Sequence, residues 1–130
     1  GDITYIKEVD EGIENIRIPS MILQPLVENA IFHGIEPKQS TGHITIHVAH
    51  DGLSDITVSV EDDGIGMDAE QIKKIFSEGS NDKSQFFKEI GLMNIHKRIK
   101  YEFGEQYGIF IESEPGLYTR MIVRIPARKN

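Results

Sequence analysis

The chain has 130 residues, no cysteine and a formal net charge of −7. That length suits one domain built on one core. The missing cysteines exclude disulfides and thiolate metal sites, the acidic balance repels nucleic-acid phosphates, and no apolar run is long enough for a membrane-spanning helix. The basic clusters are short: Lys73-Lys74, Lys97-Arg98 with Lys100, and Arg128-Lys129. They read as solvated helix faces and a chain end. An anion site here has to rest on backbone N–H groups and a few chosen cations.

In chain order, residues 3–9 (ITYIKEV) read as a short strand within a lead-in spanning residues 1–17. Ile18-Pro19-Ser20 looks like the start of a helix, with Pro tolerated in the first turn. The helix is expected to run to Gly34 as its C-terminal cap, with Pro25 kinking it or displacing its start. Residues 43–50 alternate through Ile44, Ile46 and Val48, and residues 55–62 through Ile56, Val58 and Val60. Asp51-Gly52 between them predicts a β-hairpin. Asp68 opens a second helix, with Gln71 completing a capping-box-like pair and Gly79 closing it. Residues 79–89 have no clean period and many polar side chains, which predicts a mobile loop. Leu92, Ile95, Ile99 and Phe103 mark a third helix ending near Gly104. Two final strands join through Pro115-Gly116. The order predicts one α+β domain, a two-layer sandwich with a mixed or mostly antiparallel sheet and helices on one face.

At 100° per residue, Asn29 and His33 share an arc with Ile22, Leu26 and Ala30. An unpaired amide on such an arc costs about 1–3 kcal/mol. Asn29 therefore bonds to backbone in a core, or offers its carbonyl oxygen to a hard cation such as Mg²⁺. In VEDDGIGM (60–67) a strand ends in carboxylates, then Gly64 and Gly66 open a loop before a helix. The glycines permit close approach of a ligand to the backbone, and equally permit a plain turn. Gly91 is expected just before a helix, where free N–H groups favour an anion. Thr119 stands at the start of the last strand, where its hydroxyl can bond a ligand or satisfy a turn. His43 and His47 share a strand face without a third metal ligand.

Taken together and in this order, these segments resemble the GHKL ATP-binding superfamily of gyrase-type topoisomerases, Hsp-type chaperones, MutL-type repair ATPases and sensor histidine kinases. LQPLVENAIFHG followed by IGLMNIHKRI is most similar to the ATP-binding domain of YesM/LytS-type bacterial sensor histidine kinases. The resemblance covers about residues 18–127 and implies the Bergerat-type ATP-binding fold. It implies ATP and Mg²⁺ as cofactors, with Asn29 as the metal ligand and Glu28 and His33 lining the phosphate end. Asp62 would accept the adenine amino group, assisted by Thr119. Gly64, Gly66 and Met67 would pass close to base and sugar. Residues 77–89 would form the ATP lid. Lys83, Gly91, Leu92 and Arg98 would serve the phosphate side.

The chain departs from the family pattern at several places. Phe32 stands where a Lys is frequent, Glu89 and Tyr118 stand for glycines, and Asp63 stands for an Asn. Pro25 occupies the position of the catalytic Glu of gyrase-like relatives, which favours phosphoryl transfer over hydrolysis. The resemblance further implies a C-terminal fragment of a longer homodimeric sensor kinase, cytoplasmic in a membrane protein, without direct contact of this domain with membrane or nucleic acid. Its partners would be its own dimerisation helices with the phospho-accepting His, absent here, and a cognate response regulator. The competing readings are a degenerate nucleotide-binding or docking module and an anti-sigma-type serine kinase. A P-loop enzyme is excluded, since no G-x-x-x-x-G-K-[ST] occurs.

Overall fold

The computed structural model describes residues 2–12, 18, 20–52, 54–76 and 83–127, and among these the side chains at 20, 21 and 83–91 are not placed. Strand β1 (Ile3–Val9) is followed by α1 (Ser20–Asn29), a π-helical segment (Ala30–Ile35) and a short α2 (Glu36–Lys38). Then come β2 (Gly42–Asp51), β3 (Asp55–Asp62), α3 (Ala69–Phe76), α4 (Lys83–Phe103), β4 (Gly108–Glu114) and β5 (Tyr118–Pro126).

The strands form one sheet in the order β1-β2-β3-β5-β4. Only β1 runs parallel to its neighbour; the β2–β3, β3–β5 and β4–β5 pairs are antiparallel. Strict alternation sorts the side chains. Ile44, Val48, Ile56, Val58, Val60, Met121, Val123 and Ile125 join Leu26, Ala30, Leu92 and Ile99 in one buried core. The opposite face carries Thr45, His47, Thr57, Ser59, Glu61 and Arg120 around an open groove of about 510 Å³. Arg120 bridges Glu61 (2.6 Å) and Glu112 (3.1 Å) there. The architecture is thus the expected α+β sandwich, with helices on one face of a mixed sheet.

The β2–β3 hairpin turns at Asp51-Gly52 as the sequence predicts, with Gly52 at φ +73. The capping box is present: Gln71 N–H donates to Asp68 Oδ1 (2.8 Å), and Asp68 N–H donates to Gln71 Oε1 (2.9 Å). Pro25 lies inside α1. Gly79 and residues 77–82 of the expected lid lie outside the described residues.

Two expectations fail. The helical passage does not stop at Gly34; it continues to Lys38, and Gln39 supplies the left-handed cap with φ 57. Residues 83–89, expected in a mobile loop, form the first turns of α4, and Gly91 is inside that helix. An isolated glycine costs a helix only about 1 kcal/mol, and Lys, Gln, Glu and Leu around it are good helix formers, so nothing local forces a break. Among the described residues no helix is long and apolar enough to cross a membrane.

Candidate functional site

The ends of β3 and β5 that lie side by side carry Asp62 opposite Thr119. Both are buried, at 2% and 4% exposure. Asp62 Oδ1 accepts the Gly64 N–H at 2.9 Å. Burial pushes its carboxyl up from 3.8 to about 6, against the pull of that Gly64 N–H, and the neighbouring Asp63 and Glu61 charges push the same way as burial. Among the described residues no salt bridge reaches it.

The carboxylate fits because glycines surround it. A Cβ on Gly34 would collide with the Asp62 carboxylate, and a Cβ on Gly64 would collide with the Gly34 carbonyl. Gly34 is therefore a packing requirement of the site and not the helix cap that its position suggested. The Ile65 N–H donates to Gly34 O at 3.2 Å, tying the loop after β3 to the helix. On its other side the same loop is held by the β4–β5 turn. Gly116 N–H donates to Ile65 O (2.6 Å), and Gly66, at φ +73, lies so close to Glu114 O that a side chain would clash. Met67 N–H donates to Ser113 Oγ at 2.7 Å.

Between this loop, α1 and α3 lies a cleft of about 60 Å³ lined by Asn29, His33, Ile65, Gly66, Met67, Gln71 and Ile75. Four of the expected site residues meet there: Asn29, His33, Gly66 and Met67. The Asn29 Nδ2 donates to Met121 Sδ at 3.5 Å, which leaves the amide oxygen as its acceptor end. The described residues hold no group of three or more His, Cys, Asp or Glu side chains fit for a metal. A single amide oxygen suits Mg²⁺ nonetheless, because that ion keeps waters and takes much of its shell from substrate phosphates.

Of the residues expected on the phosphate side, Leu92 and Arg98 have placed side chains, and neither is in the described lining of the cleft. Leu92 is 1% exposed in the apolar core, so it is a packing residue. Arg98 lies on an exposed face of α4, 3.8 Å from Glu102 one turn on. Gly91 is within α4, so its N–H is not at a free helix end, and Lys83 begins the same helix. Glu28 is exposed and accepts from Gln24 Nε2 at 3.0 Å, away from the cleft lining. The α1 periodicity explains this, since Glu28 sits about 100° from Asn29.

The departures at Asp63 and Tyr118 turn out to be local. Asp63 turns outward to accept from the His43 N–H and ring Nδ1, both at 2.8 Å. Burial opposes ionisation of Asp63, but these bonds and Lys38 hold its carboxyl below the usual carboxylate range. Tyr118 alternates to the far side of the sheet, where the Arg120 guanidinium lies 5.9 Å from its ring centre. Sequence reasoning missed Gly34, Gln71, Ile75 and Ser113 as site residues. Ser113 was legible in principle: it is a hydroxyl at a helix-facing position of a strand whose other such positions are Ile109 and Ile111.

The chain is similar in sequence and fold to known proteins. Sensor histidine kinase YpdA of Escherichia coli (strain K12) is 40% identical over 98% of this chain and 21% of its own length. Sensor histidine kinase YesM of Bacillus subtilis (strain 168) is 35% identical over 97% of this chain and 20% of its own length. The chain thus spans about a fifth of the length of these curated relatives. The nucleotide-free catalytic domain of histidine kinase ThkA superimposes with a TM-score of 0.69 at 28% identity, covering 96% of this chain and 79% of that one. Residues 14–129 match the family described as Histidine kinase-, DNA gyrase B-, and HSP90-like ATPase. With the match spanning nearly the whole chain and the fold agreeing, the chain belongs to that ATPase family.

Proposed function

We propose that this chain binds ATP with Mg²⁺ and acts as the catalytic domain of a sensor histidine kinase. The observation that carries this reading is Asp62. A carboxylate 2% exposed, without a paired cation among the described residues, is costly to ionise. A ligand N–H donor offsets that cost, and the exocyclic amine of adenine is such a donor. Perturbed groups of this kind mark functional sites. Gly64 and Gly66 let the loop after β3 pack closely against Gly34 and Glu114 beside Asp62, and Met67 with Ile75 offers the base an apolar wall in the cleft.

Asn29 and His33 form the polar end of the cleft, where the triphosphate belongs. Asn29 would hold Mg²⁺ through its amide oxygen, and the ion supplies charge neutralisation of the phosphates. In the reaction the terminal P–O bond of ATP breaks as a P–N bond forms to a histidine imidazole, and ADP leaves. This chain contributes by positioning the nucleotide and excluding water. The acceptor histidine belongs to a dimerisation segment other than the residues described. A solved complex of histidine kinase ThkA with response regulator protein TrrA supports a response regulator as the downstream partner.

Calorimetric titration with ATP, with and without Mg²⁺, tests the reading. Wild type is expected to bind in both cases and more tightly with the metal. Asp62→Asn is expected to abolish binding, and Asn29→Ala to remove only the metal dependence. No heat from the wild type at millimolar ATP would refute it.

A further inference from the structure

Ser113 sits on β4, and its hydroxyl has three polar neighbours. The Met67 N–H donates to it at 2.7 Å. Its own hydrogen goes to the Tyr118 carbonyl at 2.7 Å, because a carbonyl only accepts. Thr119 Oγ1 lies 2.9 Å away. A serine hydroxyl has one hydrogen and two lone pairs. With the hydrogen committed to Tyr118 and one lone pair to Met67, the second lone pair receives the Thr119 hydrogen. The Thr119 hydroxyl is thereby fixed in direction and offers its other neighbours lone pairs alone.

Thr119 is the cross-strand partner of Asp62, and both lie on the helix-facing side of the sheet. Such partners have Cβ atoms roughly 5 Å apart. An ionised Asp62 is also acceptor-only. Two acceptor-only groups side by side cannot bond to each other; they need a group with two hydrogens between them. We infer that Ser113 sets the purine selectivity of this site: by holding the Thr119 hydrogen, it makes Asp62 and Thr119 a two-acceptor recess that takes an exocyclic amine and rejects a 6-oxo group. The inference rests on the adenine-binding reading above.

Ser113 is a positioning residue that acts through Thr119. If it merely anchored the 63–67 loop through Met67, its loss would weaken all purine nucleotides alike. Acting through the direction of a hydroxyl, its loss changes the ratio between them.

The test is calorimetric titration of the 130-residue chain with ATP and with inosine triphosphate, each with Mg²⁺. Wild type, Ser113→Ala, Ser113→Thr and Thr119→Val are compared, with thermal melts to verify folding. Wild type is expected to prefer ATP. In Ser113→Ala the Thr119 hydroxyl turns and donates to the 6-oxo group, so the preference narrows by about tenfold, the effect of one hydrogen bond made or left unmade. Ser113→Thr restores the preference. Thr119→Val narrows it without touching Ser113, so the proposal stays testable even if Ser113→Ala does not fold. An unchanged ratio in folded Ser113→Ala, or a full ATP preference in Thr119→Val, overturns the proposal while leaving adenine binding intact. A wild type that binds neither nucleotide overturns the adenine reading itself, and this inference with it.

Discussion

An Asp62→Asn substitution removes a negative charge and little volume from a side chain only 2% exposed, the most enclosed polar one among the described residues. The wild-type carboxyl is raised from 3.8 to about 6 by burial. At about 1.4 kcal/mol per tenfold, ionising it in the folded protein costs about 3 kcal/mol more than in the unfolded chain. The sign follows from linkage. A carboxyl with a raised folded value binds its proton more tightly when folded, so its contribution is intact below the unfolded value of 3.8. That contribution is lost as pH rises from 3.8 to about 6, and the loss is constant above that. Asparagine is neutral throughout and still offers Gly64 an oxygen. The stability difference, variant minus wild type, should therefore grow by ~2 kcal/mol between about pH 4.5 and about pH 7.5. A fixed cost of ~1–3 kcal/mol for the added amide hydrogens moves both values equally, unless Thr119 accepts one of them. Urea unfolding at the two pH values measures the difference, and subtracting variant from wild type cancels the other titrating groups. A difference independent of pH would refute the reasoning, because Asp62 would then ionise as freely in the folded protein as in water.

Other substitutions separate packing from function. At an ordinary helical position Gly→Ala stabilises by about 1 kcal/mol; Gly34→Ala should reverse that sign, with a net loss of ~1–2 kcal/mol, because the new methyl meets the Asp62 carboxylate. Urea unfolding reads the sign, and the same variant should lose ATP binding in the titration. Leu92→Ala should cost ~2–5 kcal/mol in unfolding free energy, as a deletion in a packed core. Its ATP affinity, measured where the variant remains folded, should equal wild type; a selective loss of affinity would restore Leu92 to the phosphate side.

The parts legible in the sequence were those governed by near neighbours. Alternation in residues 43–50 and 55–62 fixes which side chains face the helices, and Asp51-Gly52 fixes the turn. The Asp68 and Gln71 pair needs only three residues to declare itself. The Asp62-to-Met67 loop was also readable, because carboxylates followed by spaced glycines leave few alternatives. What misled was glycine out of context. Gly34 resembled a helix stop, yet the feature that requires it is a carboxylate 28 positions later in the chain. Gly91 resembled a helix start, yet flanking helix formers carry α4 through it. Leu92 lay on the apolar stripe of that helix, and the sheet it packs against decided its role. Ser113 escaped notice because hydroxyls are common in strands, and only the fold brings Met67 and Thr119 to it.

The Gly34 carbonyl has one further consequence. Because it accepts from Ile65 across the gap between helix and loop, the 29–35 wall and the 63–67 wall are fastened at their inner edge. They behave as a hinged pair of covers joined along the spine, and cannot part there without breaking that bond. Among the described residues, widening a space of about 60 Å³ to admit a purine then falls to the α3 side, where Gln71 and Ile75 complete the lining. A purine that enters this cleft meets those two side chains, so the chemistry of that border bears on how fast it enters and leaves.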